Sequence, residues 1–241
     1  MKKKLQYCIT PQGESIENFM TKAVPSTSNW WNGLPNFHSG VKALKDIFKV
    51  DLGGYETPLT VKTCPGITDL LQRSYIIKFP CDVLIDIKMS HEQEDPILRW
   101  QVPDGRLLSV FRHGREQYKS SKQQIFTEYS NIKFQLPVFL GSRKNIKYIY
   151  TPPYYHTSSV PYVIMPGIIC ANNNVANELN VNCMFPNREE TYHFKAGAPI
   201  CYLTILEDYL PELEENKELP SKLYKRHFLS NYKKELKINN V

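Results

Sequence analysis

Period-two alternation runs through the middle of this chain. In "DVLIDIKM" (82–89), Val83, Ile85 and Ile87 alternate with Asp82, Leu84, Asp86 and Lys88, which predicts a strand with one buried and one largely polar face. Further apolar runs follow: "LRWQ", "LLSVF", "IKFQLPVFL", "IKYIY", "YVIMPGIIC", "LNVNCMF" and "ETYHFKAGAPICYLTIL". Turn formers separate them about every ten residues, the spacing of a sandwich or closed barrel. Pro103-Asp104-Gly105, between "LRWQ" and "LLSVF", predicts a hairpin.

Helical periodicity is confined to three places. Val41, Leu44, Ile47 and Phe48 share one face before Gly53-Gly54. In "ITDLLQRS", Ile67, Leu70 and Leu71 turn inward after Cys64-Pro65-Gly66. Residues 220–237 read as a C-terminal helix. Long helices do not alternate with strands, which disfavours a doubly wound α/β sheet. The stretch from Thr60 to Ile87 therefore parses as a short strand, a turn, a short helix and two strands broken at Pro80.

Composition refines this picture. The chain has 241 residues, 41% hydrophobic and 22% charged, with fifteen Tyr, eleven Phe and seventeen Pro. Aromatics favour strands and scattered prolines end them. Length alone allows one large all-β or α/β domain, or two small domains. Six cysteines show no C-x-x-C spacing, which argues against a zinc ribbon or thioredoxin-type site. Cys64 and Cys81 read as buried turn residues, and the thiols as free. The start "MKKKLQYC" lacks an apolar signal core, and no run reaches membrane-spanning length.

Net charge is +6, but unevenly placed. Residues 207–218 hold six acids and one Lys, a net −5; residues 222–237 hold six Lys or Arg and one Glu, a net +5. Residues 1–206 are read as a β-sandwich with an irregular lead-in, onto which Trp30 and Trp31 anchor. Residues 207–241 are read as a charged helical extension suited to protein partners or self-association. Lys and Arg interleave with Tyr224, Phe228 and Tyr232 there, but the preceding acids repel nucleic acid, so a nucleic-acid partner is not expected.

The order "NWWNGLP", "TVKTCPGITDLLQRSYIIKFPCDVLID", "YTPPYY", "FKAGAPICYLTIL" resembles an uncharacterised family encoded mainly by tailed phages and by some bacteria. The resemblance covers roughly residues 25–206. It implies a single cupin-like, jelly-roll β-sandwich with a few short helices, located in the host cytoplasm or in the virion. It carries no established activity. The chain departs from the family at Tyr154, where the turn has Gly, and at His156, where it has Ser. Asn172 to Asn174 replace an acidic stretch.

A jelly roll invites a metal reading. Iron oxygenase sites need two His and one carboxylate with open positions, and residues two apart on a strand share a face. His91 and Glu94, and His113 and Glu116, are three apart and would point to opposite faces. The metal alternative therefore falls to His113, His156 and His193, with Fe as its cofactor. A different row is better spaced: His113, Arg115 and Gln117 lie at i, i+2 and i+4, able to grip a carboxylate or phosphate if the strand continues past Gly114. His193 alternates with Tyr192 and Phe194, reading as a barrel histidine or a ligand contact. No nucleophile elbow, phosphate loop or dinucleotide fingerprint is present. The leading reading is a phage-type binding or host-interaction protein without catalysis and without a cofactor. The alternatives are a cupin-like iron oxygenase and a module for a small anionic ligand.

Overall fold

The computed structural model describes residues 3–10, 14–24, 64–89, 96–113, 128–157, 160–171 and 177–219. In chain order the elements are β1 (Lys4–Ile9), a 3-10 turn (Ile16–Asn18), β2 (Met20–Lys22), α1 (Pro65–Gln72), β3 (Ser74–Lys78), β4 (Val83–Lys88), β5 (Ile97–Gln101), β6 (Ser109–Arg112), β7 (Tyr129–Gly141), β8 (Ile146–Thr151), β9 (Val163–Ile164), β10 (Ile168–Ala171), β11 (Asn177–Pro186), β12 (Glu190–Phe194), β13 (Pro199–Ile205) and β14 (Glu212–Glu215). The molecule is mainly β, as the alternation predicts, and no helix among the described residues is long and apolar enough to cross a membrane.

The first sheet runs β14-β1-β7-β11-β9. Its long strand β7 takes β11 along one side; on the other, β6 pairs near Phe134 and β1 near Phe139. The second sheet runs β10-β8-β13-β3-β2 and the third β12-β4-β5. The third continues the second round a corner, because β3 leads into β4 and β12 into β13. The Phe79 N–H donates to the Ala198 carbonyl at 2.9 Å, and the Gly197 N–H to the Phe79 carbonyl at 2.7 Å. Gly197 has φ 81°, and a bulge follows between Pro199 and Cys201. Bends and bulges of this kind let strands switch sheets.

All three sheets feed one core. Leu5, Phe134 and Val181 of the first sheet meet Tyr75, Tyr148 and Leu203 of the second, and Val83, Ile85 and Ile87 of the third. Each such side chain is worth about 1.5–3 kcal/mol when fully buried. β3 and β13 are buried on both faces, since α1 covers the outer one: Leu71 packs on Ile76 and Tyr202. α1 starts at Pro65, where a missing N–H costs nothing, and the Ser74 hydroxyl donates to the Leu70 carbonyl at its end.

Four expectations need correcting. The strands flanking Pro103-Asp104-Gly105 form, but not as a hairpin: β5 pairs with β4 and β6 with β7. The turn itself forms, with the Leu107 N–H on the Asp104 carbonyl at 3.1 Å, but the two strands it joins belong to different sheets. The run "YVIMPGIIC" divides at Pro166-Gly167, so β9 joins the first sheet and β10 the second. Cys64 is exposed at the start of α1 and Cys81 is half-buried, whereas Cys8, Cys183 and Cys201 are buried. The body also extends past 206: Glu212–Glu215 is a strand parallel to β1, with Leu213 opposite Leu5. The helix expected at 41–48, the strand at 59–63, Trp30, Trp31 and the basic helix at 220–237 lie outside the described residues.

Candidate functional site

β6, β7 and β11 lie side by side, and their register fixes what the outer face carries. Val110 and Val181 both pair with Phe134, and all three are buried. Their neighbours one residue away therefore point outward. Ser109, Gln135 and Asn180 form one row across the strands; Phe111, Lys133 and Asn182 form the next. The His113 N–H donates to the Asn131 carbonyl at 3.0 Å, which sets His113 beside Asn131 just past the end of β6.

This face is rich in amides. The Lys133 ammonium stands 4.9 Å from the centre of the Phe111 ring, a cation–π contact, yet Phe111 remains 45% exposed. The Gln135 amide donates to the Glu178 carboxylate, and Asn180 Nδ2 donates to the Glu178 carbonyl at 3.3 Å. The Asn182 backbone carbonyl accepts from the Met165 N–H at 3.0 Å. The side-chain oxygens Oδ1 of Asn180 and Asn182 are shielded from water and have no hydrogen-bond partner among the described residues. An acceptor left in that state costs about 1–3 kcal/mol.

A concavity opens where the edges of the first two sheets part, between β14–β1 and the 3-10 turn with β2. It comprises two adjoining cavities of about 440 and 270 Å³ that share Tyr7, Ile16 and Glu17. Glu212 and Lys22 line the larger, Glu215 and Lys217 the smaller. Burial, then the Glu215 and Glu17 charges, push the Tyr7 phenol above its usual range. The Ser15 hydroxyl, bonded to Glu17, holds that carboxyl below its usual value.

The sequence-predicted residues do not converge. His113 lies at the edge of the amide face; Arg115, Gln117, His91, Glu94 and Glu116 lie outside the described residues. His156 sits in the turn after β8, where Nδ1 meets the Tyr202 hydroxyl at 2.7 Å and Nε2 the Ala23 carbonyl at 3.2 Å. His193 is not a barrel histidine. It stands on β12 with half its side chain exposed, 3.8 Å from Asp82. His113, His156 and His193 thus belong to three different neighbourhoods, and among the described residues no group of three or more His, Cys, Asp or Glu is placed to hold a metal. Among the described residues, His113, His156 and His193 do not come together as an iron site.

Asn180, Asn182, Lys133 and Gln135 went unrecognised in the sequence. Their only signal is that "LNVNCMF" puts two carboxamides, not charges, on its polar face. No known family model, curated protein or solved structure matches this chain.

Proposed function

We propose that this chain is a binding protein that acts without catalysis, a virion or host-interaction component of jelly-roll type encoded by a phage. The phage assignment rests on the order of sequence motifs. The binding assignment rests on one observation: the outer face of β6–β7–β11 presents Phe111, an apolar ring left 45% exposed with the Lys133 ammonium over it, among the polar side chains of Gln135, Asn180 and Asn182. An exposed aromatic ring carrying a cation is the kind of anchor that partners cover.

Two measurements test this. Fluorescently labelled protein is expected to adhere to cells of the bacterial host, and Phe111→Ala to reduce that adhesion. Absence of adhesion in the wild type removes the reading. Elemental analysis of protein purified without chelator addresses the oxygenase alternative; near-stoichiometric iron would overturn the assignment of binding without catalysis.

A further inference from the structure

We propose that the concavity between the β14–β1 edge and β2 is the docking groove for the basic segment 222–237 of the same chain. This surface is separate from the β6–β7–β11 face and does not depend on the reading above. β14 ends the first sheet and β2 the second, so the groove lies where each sheet stops. The larger of its two cavities, about 440 Å³, is in the range of about 300–1,000 Å³ that takes a ligand or a run of side chains.

The walls combine apolar surface with negative charge. Met20, Leu213 and the rings of Tyr7 and Tyr75 line the larger cavity. Glu14 and Glu17 enter from the 3-10 turn, Glu212 and Glu215 from β14. Lys22 and Lys217 offset two of these four carboxylates, and Lys217 stands 3.9 Å from Glu215. The exposed Glu212 carboxylate makes no hydrogen bond or ion pair among the described residues. The groove is therefore short of positive charge.

The chain itself arrives at this groove with the complementary character. The described residues end at Leu219. The Asn216 N–H donates to the Tyr7 carbonyl at 2.7 Å, and Leu219 packs on Cys8. Tyr7, Cys8 and Lys217 all line the smaller cavity, so the described chain ends at its rim. Residues 222–237 carry six Lys or Arg and one Glu, interleaved with Leu223, Tyr224, Phe228 and Tyr232. The cations answer the carboxylates, and the rings and Leu223 answer the apolar wall. From Leu219 to Lys225 is six residues, a reach of at most about 20 Å. A tether of that length holds the segment at an effective concentration on the order of millimolar, which a separate basic partner or a second copy must exceed. Exposed ion pairs add little to global stability. The docking is therefore read as proximity that weakens when salt screens the charges, and not as a higher melting temperature.

The test uses the full chain, as an equal mixture of unlabelled and ¹⁵N-labelled protein. A water-soluble carbodiimide joins carboxylates to lysine amines in contact with them, and peptide mass spectrometry reads the links. Links from Lys225, Lys233 or Lys234 to Glu14 or Glu17, far away in sequence, are expected within a single label. Their yield is expected to fall about threefold or more between low salt and about 1 M. Lys225→Glu with Arg226→Glu is expected to cut the links left at Lys233 and Lys234 by a similar factor. Links that join unlabelled to labelled peptides as often as like to like overturn docking within one chain and make a second copy the occupant. Links confined to the acids of 207–218, which are neighbours of the segment in sequence, overturn the groove, and so does the absence of links. Equal yields at Asp86, on the third sheet, show indiscriminate contact and also overturn it. Links that persist undiminished at about 1 M salt overturn charge as what seats the segment.

Discussion

The His156 imidazole clamps the Tyr202 hydroxyl. Nδ1 lies 2.7 Å from the phenol oxygen, and that oxygen accepts the Tyr155 N–H at 3.1 Å. Nε2 donates to the Ala23 carbonyl at 3.2 Å, which leaves Nδ1 to accept the Tyr202 O–H. Tyr202 is fully buried, and burial holds its phenol well above the usual range. Three segments distant in sequence are thereby tied together over the outer face of the second sheet. Tyr202→Phe removes the hydroxyl that meets the Tyr155 N–H and His156 Nδ1, and is expected to cost about 1–3 kcal/mol. His156→Ala should cost a similar amount, and the double variant less than their sum, because both remove one network. Urea melts of the three variants measure this; strict additivity would refute the clamp.

Phe79 marks the corner between the second and third sheets. Its ring stacks on Phe194 at 4.7 Å and meets Phe134 edge-on at 5.2 Å, and it is fully buried. Phe79→Ala is expected to cost about 3–5 kcal/mol, the range for an aromatic removed from a core. The facing turn depends on Gly197 at φ 81°. No atom lies within 4 Å of where a Cβ would stand, so Gly197→Ala reports backbone strain without a clash. About 1–2 kcal/mol is expected, read as a fall in denaturation midpoint. A neutral result would show that this turn can relax to negative φ.

Much of the fold is legible because burial follows alternation. Val83, Ile85 and Ile87 read as an inward face and are at most 1% exposed. Short-range signals fail where partner choice is long-range. A turn does form after Pro103, with the Leu107 N–H on the Asp104 carbonyl, but β5 pairs with β4 and β6 with β7. The acidic "ELEE" reads as solvated helix, yet it becomes an edge strand, where an exposed carboxylate face is no penalty. The candidate site was least legible for the same reason. Phe111, Lys133 and Asn182 are neighbours only through the register of three strands, while His113, legible alone, stands at their margin.

The position of β14 makes the domain boundary testable. Leu213 lies opposite Leu5, and the Tyr75 hydroxyl donates to the Pro211 carbonyl. A chain ended after Leu206 loses both and bares the edge of β1, an invitation to association. Leaving the buried Tyr75 hydroxyl without that acceptor alone costs about 1–3 kcal/mol. Ending the chain after Leu219 keeps these contacts, together with the packing of Leu219 on Cys8. The shorter chain is expected to melt earlier and to elute as larger species in size exclusion, the longer one to behave as the full protein. Equal melting would return the boundary to 206. The exposed Lys4–Glu214 pair at 2.8 Å should matter little by comparison, since such pairs are screened by solvent.

Asp104 offers the clearest pH signature. Arg106 Nη2 donates to Oδ2 at 2.7 Å, its Nε to Oδ1 at 3.0 Å, and its backbone N–H to Oδ1 at 2.9 Å. The side-chain bonds first, then the backbone bond, hold the carboxyl at about 2, against about 3.9 in an unfolded chain. The folded value is depressed, so the unfolded chain binds the proton more readily. The stabilisation is therefore fully present above about pH 3.9 and is lost as pH falls towards 2. Because the pair is exposed, its effect on global stability is small, and the site itself is the better reporter. Carbon-detected NMR of the Asp104 carboxyl should show titration near 2 in the wild type. In Arg106→Gln it should move up towards the ordinary value, while the β4–β5 resonances stay in place. An unchanged midpoint in that variant would mean that backbone N–H groups, not the guanidinium, set the charge of this turn.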